Sequence, residues 1–220
     1  MSIFTYIIRF FIMENNEQIP TSVGILQKGA KMDRRKIRTE KSKAALKAAF
    51  VELFRIKEPE TISVVELCRK AGLNRSTFYA HYPYMDELTR EVLWECIENV
   101  FRGMGPQWNL PLEDGGVEKD AIAAYLHRFT GDPTLMRFCT CANNGKYRNL
   151  IIRAHVDLTL GHSIDPVRYC AAYYHNAGIL SFILEWFNNG FSVPERTIVE
   201  LIHEFSKIMY RPSLGTGSFG

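Results

Sequence analysis

Residues 61–82, TISVVELCRKAGLNRSTFYAHY, spell out two short helices and the turn between them. Ser63 with Glu66 three places on has the form of a capping box, in which a hydroxyl and a carboxylate satisfy the orphan amides of a helix start. Val64, Leu67, Cys68 and Ala71 then recur at helical spacing. Gly72 closes that helix, since a residue without a Cβ enters the left-handed region at little cost. Leu73 follows, and Asn74 is a strong N-cap for a second helix beginning at Arg75. Leu73 before that cap and Phe78 at the fourth helical position are placed for a hydrophobic staple. The staple buries Phe78 and turns Arg75, Ser76, Thr77, Tyr79 and His81 mostly outward.

That outward set is rich in hydrogen-bond donors, and a short helix after a tight turn is the form in which helix-turn-helix proteins enter the DNA major groove. Arg75, Ser76 and Thr77 are expected to face base edges, with Arg75 the foremost reader because its guanidinium pairs bidentately with guanine. Tyr79, His81 and Thr39 are expected to contact phosphates, and Ser63 and Asn74, at the two helix starts, complete the expected interface. Charge supports this independently. Residues 31–83 hold 13 Lys or Arg against 6 Asp or Glu, a net of +7, whereas the whole chain is +3 and the remainder therefore −4. Positive charge confined to one part of a chain is the footprint of phosphate neutralisation there.

The run resembles the N-terminal domain of the TetR-type one-component transcriptional regulators. The match spans residues 39–88: a leading helix of pattern A-x-x-x-L-F, here AFVELF at 49–54, the Ile62-Ser63-Val64 start, the Ala71-Gly72 turn, and Thr77-Phe78-Tyr79-x-His81-Tyr82. Asn74-Arg75-Ser76-Thr77 looks like a recurrent subset of that family. Two positions depart from it. Ala80 stands where a basic residue is common, and Met85 where a lysine is expected to open the next helix, so each removes a phosphate contact. The resemblance implies an all-α fold: a three-helix DNA-binding domain followed by a helical ligand-binding and dimerisation domain. It further implies repression relieved by a small effector.

Working outward, the first helix is expected over 34–57 with Leu46, Ala49, Phe50, Leu53 and Phe54 as its buried stripe and Pro59 forcing the exit. Its basic start, Arg34, Arg35, Lys36, Arg38 and Lys41, points to the phosphate backbone. A fourth helix is expected from near Asp86, carrying Leu88, Val92, Leu93, Cys96, Ile97, Val100 and Phe101 on one face. Residues 104–116 are rich in Gly and Pro and read as a loop or broken helix. Helices follow over 117–129, 134–141, 147–160, 166–188 and 194–210, and no strand is expected. The division is therefore 1–31 an extension, 32–83 the DNA-binding domain, 84–212 the regulatory and dimerisation domain, and 213–220 a disordered tail.

Residues 177–187, AGILSFILEWF, are apolar around nearly the whole helix, which then needs cover on more than one side. Homodimerisation through the last two helices is expected, with Leu180, Leu184, Trp186, Leu201 and Phe205 at the interface. Two half-sites roughly 34 Å apart on DNA require a dimer as well. Trp94, Phe101, Tyr125, Phe138 and His155, with Trp108, Phe129 and Tyr147, could line an apolar effector pocket, or simply form core. The expected partners are double-stranded operator DNA, a second copy of the chain and a small apolar effector; regulation by a protein partner is the alternative.

Composition excludes other classes. At 220 residues, 46% apolar and 12% aromatic, the chain can bury a core. The apolar stretch at 3–13 carries Arg9 and falls short of the roughly 20 residues that span a bilayer, so no membrane role is expected. Met13 or Met32 is an alternative start. Five cysteines without secretory context read as reduced thiols in a cytoplasm, and Cys139-x-Cys141 lacks zinc-site spacing. No nucleophile, base and orienter stand at arguable spacing, so neither an enzyme, a metal nor a cofactor is expected.

Overall fold

The computed structural model describes residues 34–102, 104, 117–142, 144–160 and 166–209. The expected extension at 1–31, most of the loop at 104–116 with Trp108, and the tail lie outside the described residues, as do the side chains of Arg34 and Arg35. Nine α-helices are described: α1 Arg34–Phe54, α2 Val64–Ala71, α3 Arg75–His81, α4 Met85–Phe101, α5 Lys119–Gly131, α6 Pro133–Thr140, α7 Asn144–Leu160, α8 Pro166–Asn188 and α9 Glu195–Met209. One 3-10 turn, Pro59–Thr61, follows α1, and no strand occurs among the described residues.

α1 stops at Phe54, one turn short of the expected end. Glu58 precedes proline and is extended at φ −74°, ψ 142°, because the proline ring crowds the helical conformation of its neighbour. The stripe Leu46, Ala49, Phe50, Leu53 and Phe54 is buried as its spacing requires. Between α5 and α6 Asp132 serves both helices: its carboxylate accepts from the amides of Thr134 and Leu135, both at 2.9 Å, and Pro133 occupies the first helical position, where no amide proton is needed.

α1, α2 and α3 pack on one another, and α1 also meets α4. From α4 the chain passes through α5, α6, α7 and α8 to α9, neighbour against neighbour, and α9 returns to α5. One continuous apolar cluster runs from Leu46 to Ile202.

The last two helices correct the expected interface. Leu180, Leu184 and Trp186 are buried inside the protomer, 5%, 2% and 8% exposed, and Trp186 Nε1 donates to the Val193 carbonyl at 2.7 Å. The face of α8 left outside is Ala171, Tyr174, Gly178, Ser181 and Glu185. Leu201 and Phe205 of α9 do stand outward, at 37% and 52%. Residues 177–187 are apolar around nearly the whole helix apart from Ser181 and Glu185 on this outer face, and packing on α7 and α9 buries the opposite side.

Candidate nucleic-acid interface

The turn that aims α3 is built from backbone hydrogen bonds. Gly72 takes φ 66°, ψ 31°; its amide donates to the Arg69 carbonyl, and Leu73 donates to the Cys68 carbonyl at 2.9 Å, closing α2 with a Schellman motif. Ser63 accepts from the Glu66 amide at 3.2 Å, so one arm of the capping box forms. Glu66 sends its carboxylate elsewhere, accepting from Lys57 Nζ at 2.6 Å. Asn74 makes no side-chain cap: its backbone carbonyl takes the Thr77 and Phe78 amides, at 3.0 and 3.3 Å, and its side chain stands exposed.

Phe78 is fully buried, and partly buried Leu73 packs against the same core. Tyr79 meets Phe78 edge-on at 5.3 Å and remains 51% exposed. Arg75 and Ser76 are exposed and Thr77 half-buried, so α3 presents Arg75, Ser76 and Tyr79 as one accessible set.

His81 is placed differently from the outward position expected of it. It is half-buried, with Nε2 2.7 Å from Ser42 Oγ of α1. The Ser42 proton goes to the Thr39 carbonyl at 2.9 Å, which leaves the ring nitrogen as donor to Ser42. Burial, and then the nearby Lys43 charge, lower the His81 pKa and favour the neutral ring. His81 is thus a strut between α3 and α1. Thr39 itself lies on the exposed start of α1.

The cations of α1 also divide. Lys43 pairs with Glu91 at 2.9 Å, and Lys47 with Glu91 at 3.2 Å and with Glu95, so both are committed to α4. Lys70 pairs with Glu52 at 2.6 Å. Lys36, Arg38, Lys41, Arg69 and Arg75 are exposed and make no ion pair among the described residues. The matching spacing of Lys43/Lys47 and Glu91/Glu95, four residues apart in each helix, was the signal in the sequence for this clasp. Two further residues were missed by sequence reasoning: Ser42, and Tyr84, which stands 71% exposed directly before α4.

The five expected pocket residues do not gather in one place. Trp94 is half-buried and donates from Nε1 to Glu98 Oε1 at 2.6 Å. Phe138 packs on Phe54 at 4.4 Å and on Tyr147 at 5.0 Å. Phe101, Tyr125 and His155 do cluster, with ring centroids of Phe101 and Tyr125 at 4.8 and 5.5 Å from His155. His155 Nδ1 lies 2.7 Å from the Ile151 carbonyl, which can only accept, so in the neutral ring Nε2 accepts from Tyr125 OH at 2.7 Å. A crevice bounded by Tyr125, Ile151, Ile152, His155, Asn176 and Leu180 adjoins this pair and is too tight for a water-sized sphere. Among the described residues no group of His, Cys, Asp and Glu could hold a metal ion, and no helix is long and apolar enough to cross a membrane.

Burial holds the His155 pKa down at about 4, and His175 likewise at about 4. The unfolded chain, with histidine near 6.5, takes up the proton first. Stability is therefore full above about pH 6.5 and falls as pH drops toward 4, by on the order of 3 kcal/mol for His155. Denaturant midpoints measured across that window should decline in the parent protein and decline less in His155→Gln. An equal slope in both would mean that His155 is not buried neutral.

No family model matches this sequence, and no curated protein matches it. Among solved structures, the chain is similar to the TetR-family repressor AlkX from Dietzia, implicated in biodegradation of n-alkanes. The identity is 14% and the TM-score 0.48, over 82% of this chain and 97% of that one. It is similar also to a TetR-family transcriptional regulator from Streptomyces coelicolor, at 16% identity and TM-score 0.47, over 77% of this chain and 80% of that one.

Proposed function

We propose that this chain is a homodimeric, cytoplasmic DNA-binding transcriptional regulator of the TetR type. Residues 32–83 bind operator DNA and residues 84–212 form the regulatory and dimerisation part. The observation that carries this is the reading helix. α3 offers Arg75, Ser76 and Tyr79 together after a hydrogen-bonded turn, beside exposed cations that make no ion pair among the described residues. Such a surface suits the major groove, with Lys36, Arg38 and Lys41 on the flanking phosphates. The outer face of α8 and α9, with Tyr174, Leu201 and Phe205, supports pairing with a second copy.

Footprinting on the DNA upstream of the protein's own coding sequence tests the function directly, and the absence of any protected site there or elsewhere would sink it. On a protected site, Arg75→Ala should cost about 1–3 kcal/mol at one base pair and relax selectivity there. Replacing Lys36, Arg38 and Lys41 by Ala should instead weaken all sequences alike, lowering the slope of log affinity against log salt by about 0.9 per phosphate lost. Uniform loss in Arg75→Ala would make Arg75 a phosphate contact.

Repression relieved by a small, largely apolar effector is the accompanying proposal, with Tyr125, His155 and Asn176 as its polar contacts. Because the crevice is closed, such an effector must part α7 from α5 and α8. The second reading is a regulator controlled by a protein partner, since that crevice as it stands has no room for a ligand. Thermal stabilisation by candidate ligands supports the first, and capture of a partner with no ligand effect supports the second.

A further inference from the structure

One side of α1 carries lysines in two different states. Lys36, Lys43 and Lys47 stand seven and four residues apart, which brings all three to the same side of the helix. Lys36 is exposed and makes no ion pair among the described residues. Lys43 and Lys47 lean onto α4, where Glu91 takes both: its Oε2 accepts from Lys43 Nζ at 2.9 Å and its Oε1 from Lys47 Nζ at 3.2 Å. Lys47 also pairs with Glu95, and Lys43 lies 5.6 Å over the ring of Tyr82, the residue after α3. Burial works against charge on Glu91, yet the two ammonium groups hold its carboxyl below the ordinary carboxylate range, so it is ionised at neutral pH. Two further pairs, Lys57 with Glu66 and Lys70 with Glu52, lie within residues 31–83 and are already counted in the net of +7 there. Glu91 and Glu95 lie beyond that stretch, so its net overstates by two the charge that a phosphate backbone meets.

We infer that Glu91 withholds Lys43 and Lys47 from the phosphate backbone, and so limits the affinity of residues 31–83 for any duplex, operator or random. Glu91 is a positioning residue: it touches no DNA and acts through the two lysines. Affinity that is blind to sequence grows with the number of phosphates neutralised, because each contact releases condensed counterions. Two lysines held by one carboxylate release none. The pairs are open enough to exchange partners. Lys43 and Lys47 are 29% and 20% exposed and Glu91 20%, and a lysine stem can stay packed while its ammonium group turns to water. Freed from Glu91, both ammonium groups extend along the side that Lys36 already occupies. Phosphate contacts carry no sequence information, so Glu91 limits affinity and its salt dependence while selectivity stays with α3.

The inference rests on the DNA-binding reading, and the experiment separates the two. Glu91→Gln keeps the shape of the side chain and removes its charge. Its control is Glu200→Gln, which changes the net charge equally and releases Lys119 of α5, outside residues 31–83. Affinities for an operator duplex and for a random duplex of equal length are measured over a salt series, at unchanged helical content. Glu91→Gln should steepen the slope of log affinity against log salt by about 0.9 for each lysine released, and should raise affinity for both duplexes about fivefold or more at physiological salt. Glu200→Gln should keep the parent slope. Lys43→Gln combined with Lys47→Gln should also keep it and, added to Glu91→Gln, should restore it. An unchanged slope in folded Glu91→Gln overturns the inference. So does a shallower slope when the parent loses the two lysines, which would mean that they already meet phosphate; this arm decides the matter should Glu91→Gln fail to fold. If the parent binds no duplex at all, the proposed function falls, and elution from immobilised heparin, another polyanion, still decides the withholding. Glu91→Gln should then elute at higher salt than Glu200→Gln, and equal elution overturns it.

Discussion

Leu184→Glu should unfold the protein, whereas Phe205→Glu should leave it folded and monomeric. Leu184 is 2% exposed on the inward side of α8, and Phe205 is 52% exposed on the outer side of α9. A carboxylate at the first position loses its water without gaining a partner and displaces a well-packed side chain. The cost is on the order of 4 kcal/mol or more, against the 5–15 kcal/mol that holds an ordinary domain together. At the second position the same charge stays hydrated in the protomer and is buried only if two copies pair. Denaturant unfolding and light scattering of the two variants decide it. A folded, monomeric Leu184→Glu would put Leu184 on the interface, and a Phe205→Glu that stays dimeric would move the interface off the outer face of α9.

Phe78→Ala should release α3 while sparing the far helices. Phe78 is completely buried and carries α3 onto α1 and α2; its ring also leans on Tyr79 and Tyr82 at 5.3 and 5.8 Å. Truncating a fully buried phenylalanine removes its transfer energy and leaves a cavity, about 3–5 kcal/mol in all. α3 has only 7 residues and cannot hold its shape without that anchor. Amide exchange should therefore become fast across α2 and α3 and remain slow in α8, with operator affinity lost. Unchanged protection in α3 would show that the turn and the His81–Ser42 strut suffice without the staple.

The helical plan was legible because its signals are local. Gly72 closes α2 from its own left-handed conformation, Pro59 ends α1 through the residue before it, and Pro133 and Pro166 open helices where an amide proton is not needed. Phe78 as the buried member of α3 followed from its distance to the cap, and Leu46 to Phe54 as the buried stripe of α1 from helical period alone. The candidate interface was legible to the same depth. Arg75, Ser76 and Tyr79 point outward because Phe78 and the turn leave them no alternative.

What needed the tertiary structure is every choice between partners far apart in the chain. His81 looked like a surface donor, yet Ser42, 39 residues away, holds it. Lys43 and Lys47 continue the basic run that starts α1, yet Glu91 and Glu95 of α4 claim them. Leu180, Leu184 and Trp186 looked like a dimer face because residues 177–187 are apolar around nearly the whole helix, and Ser181 and Glu185 are too few to say how much of the apolar surface turns into the protomer. The sequence by itself determined the local form of α2, the turn and α3, since caps, turn and staple act within a few residues of one another. Only packing decided how α8 is turned, the commitment of the α1 lysines and the ion pair between Glu58 and Arg137, because each depends on which distant surface arrives to bury or pair a group that two or more partners could satisfy.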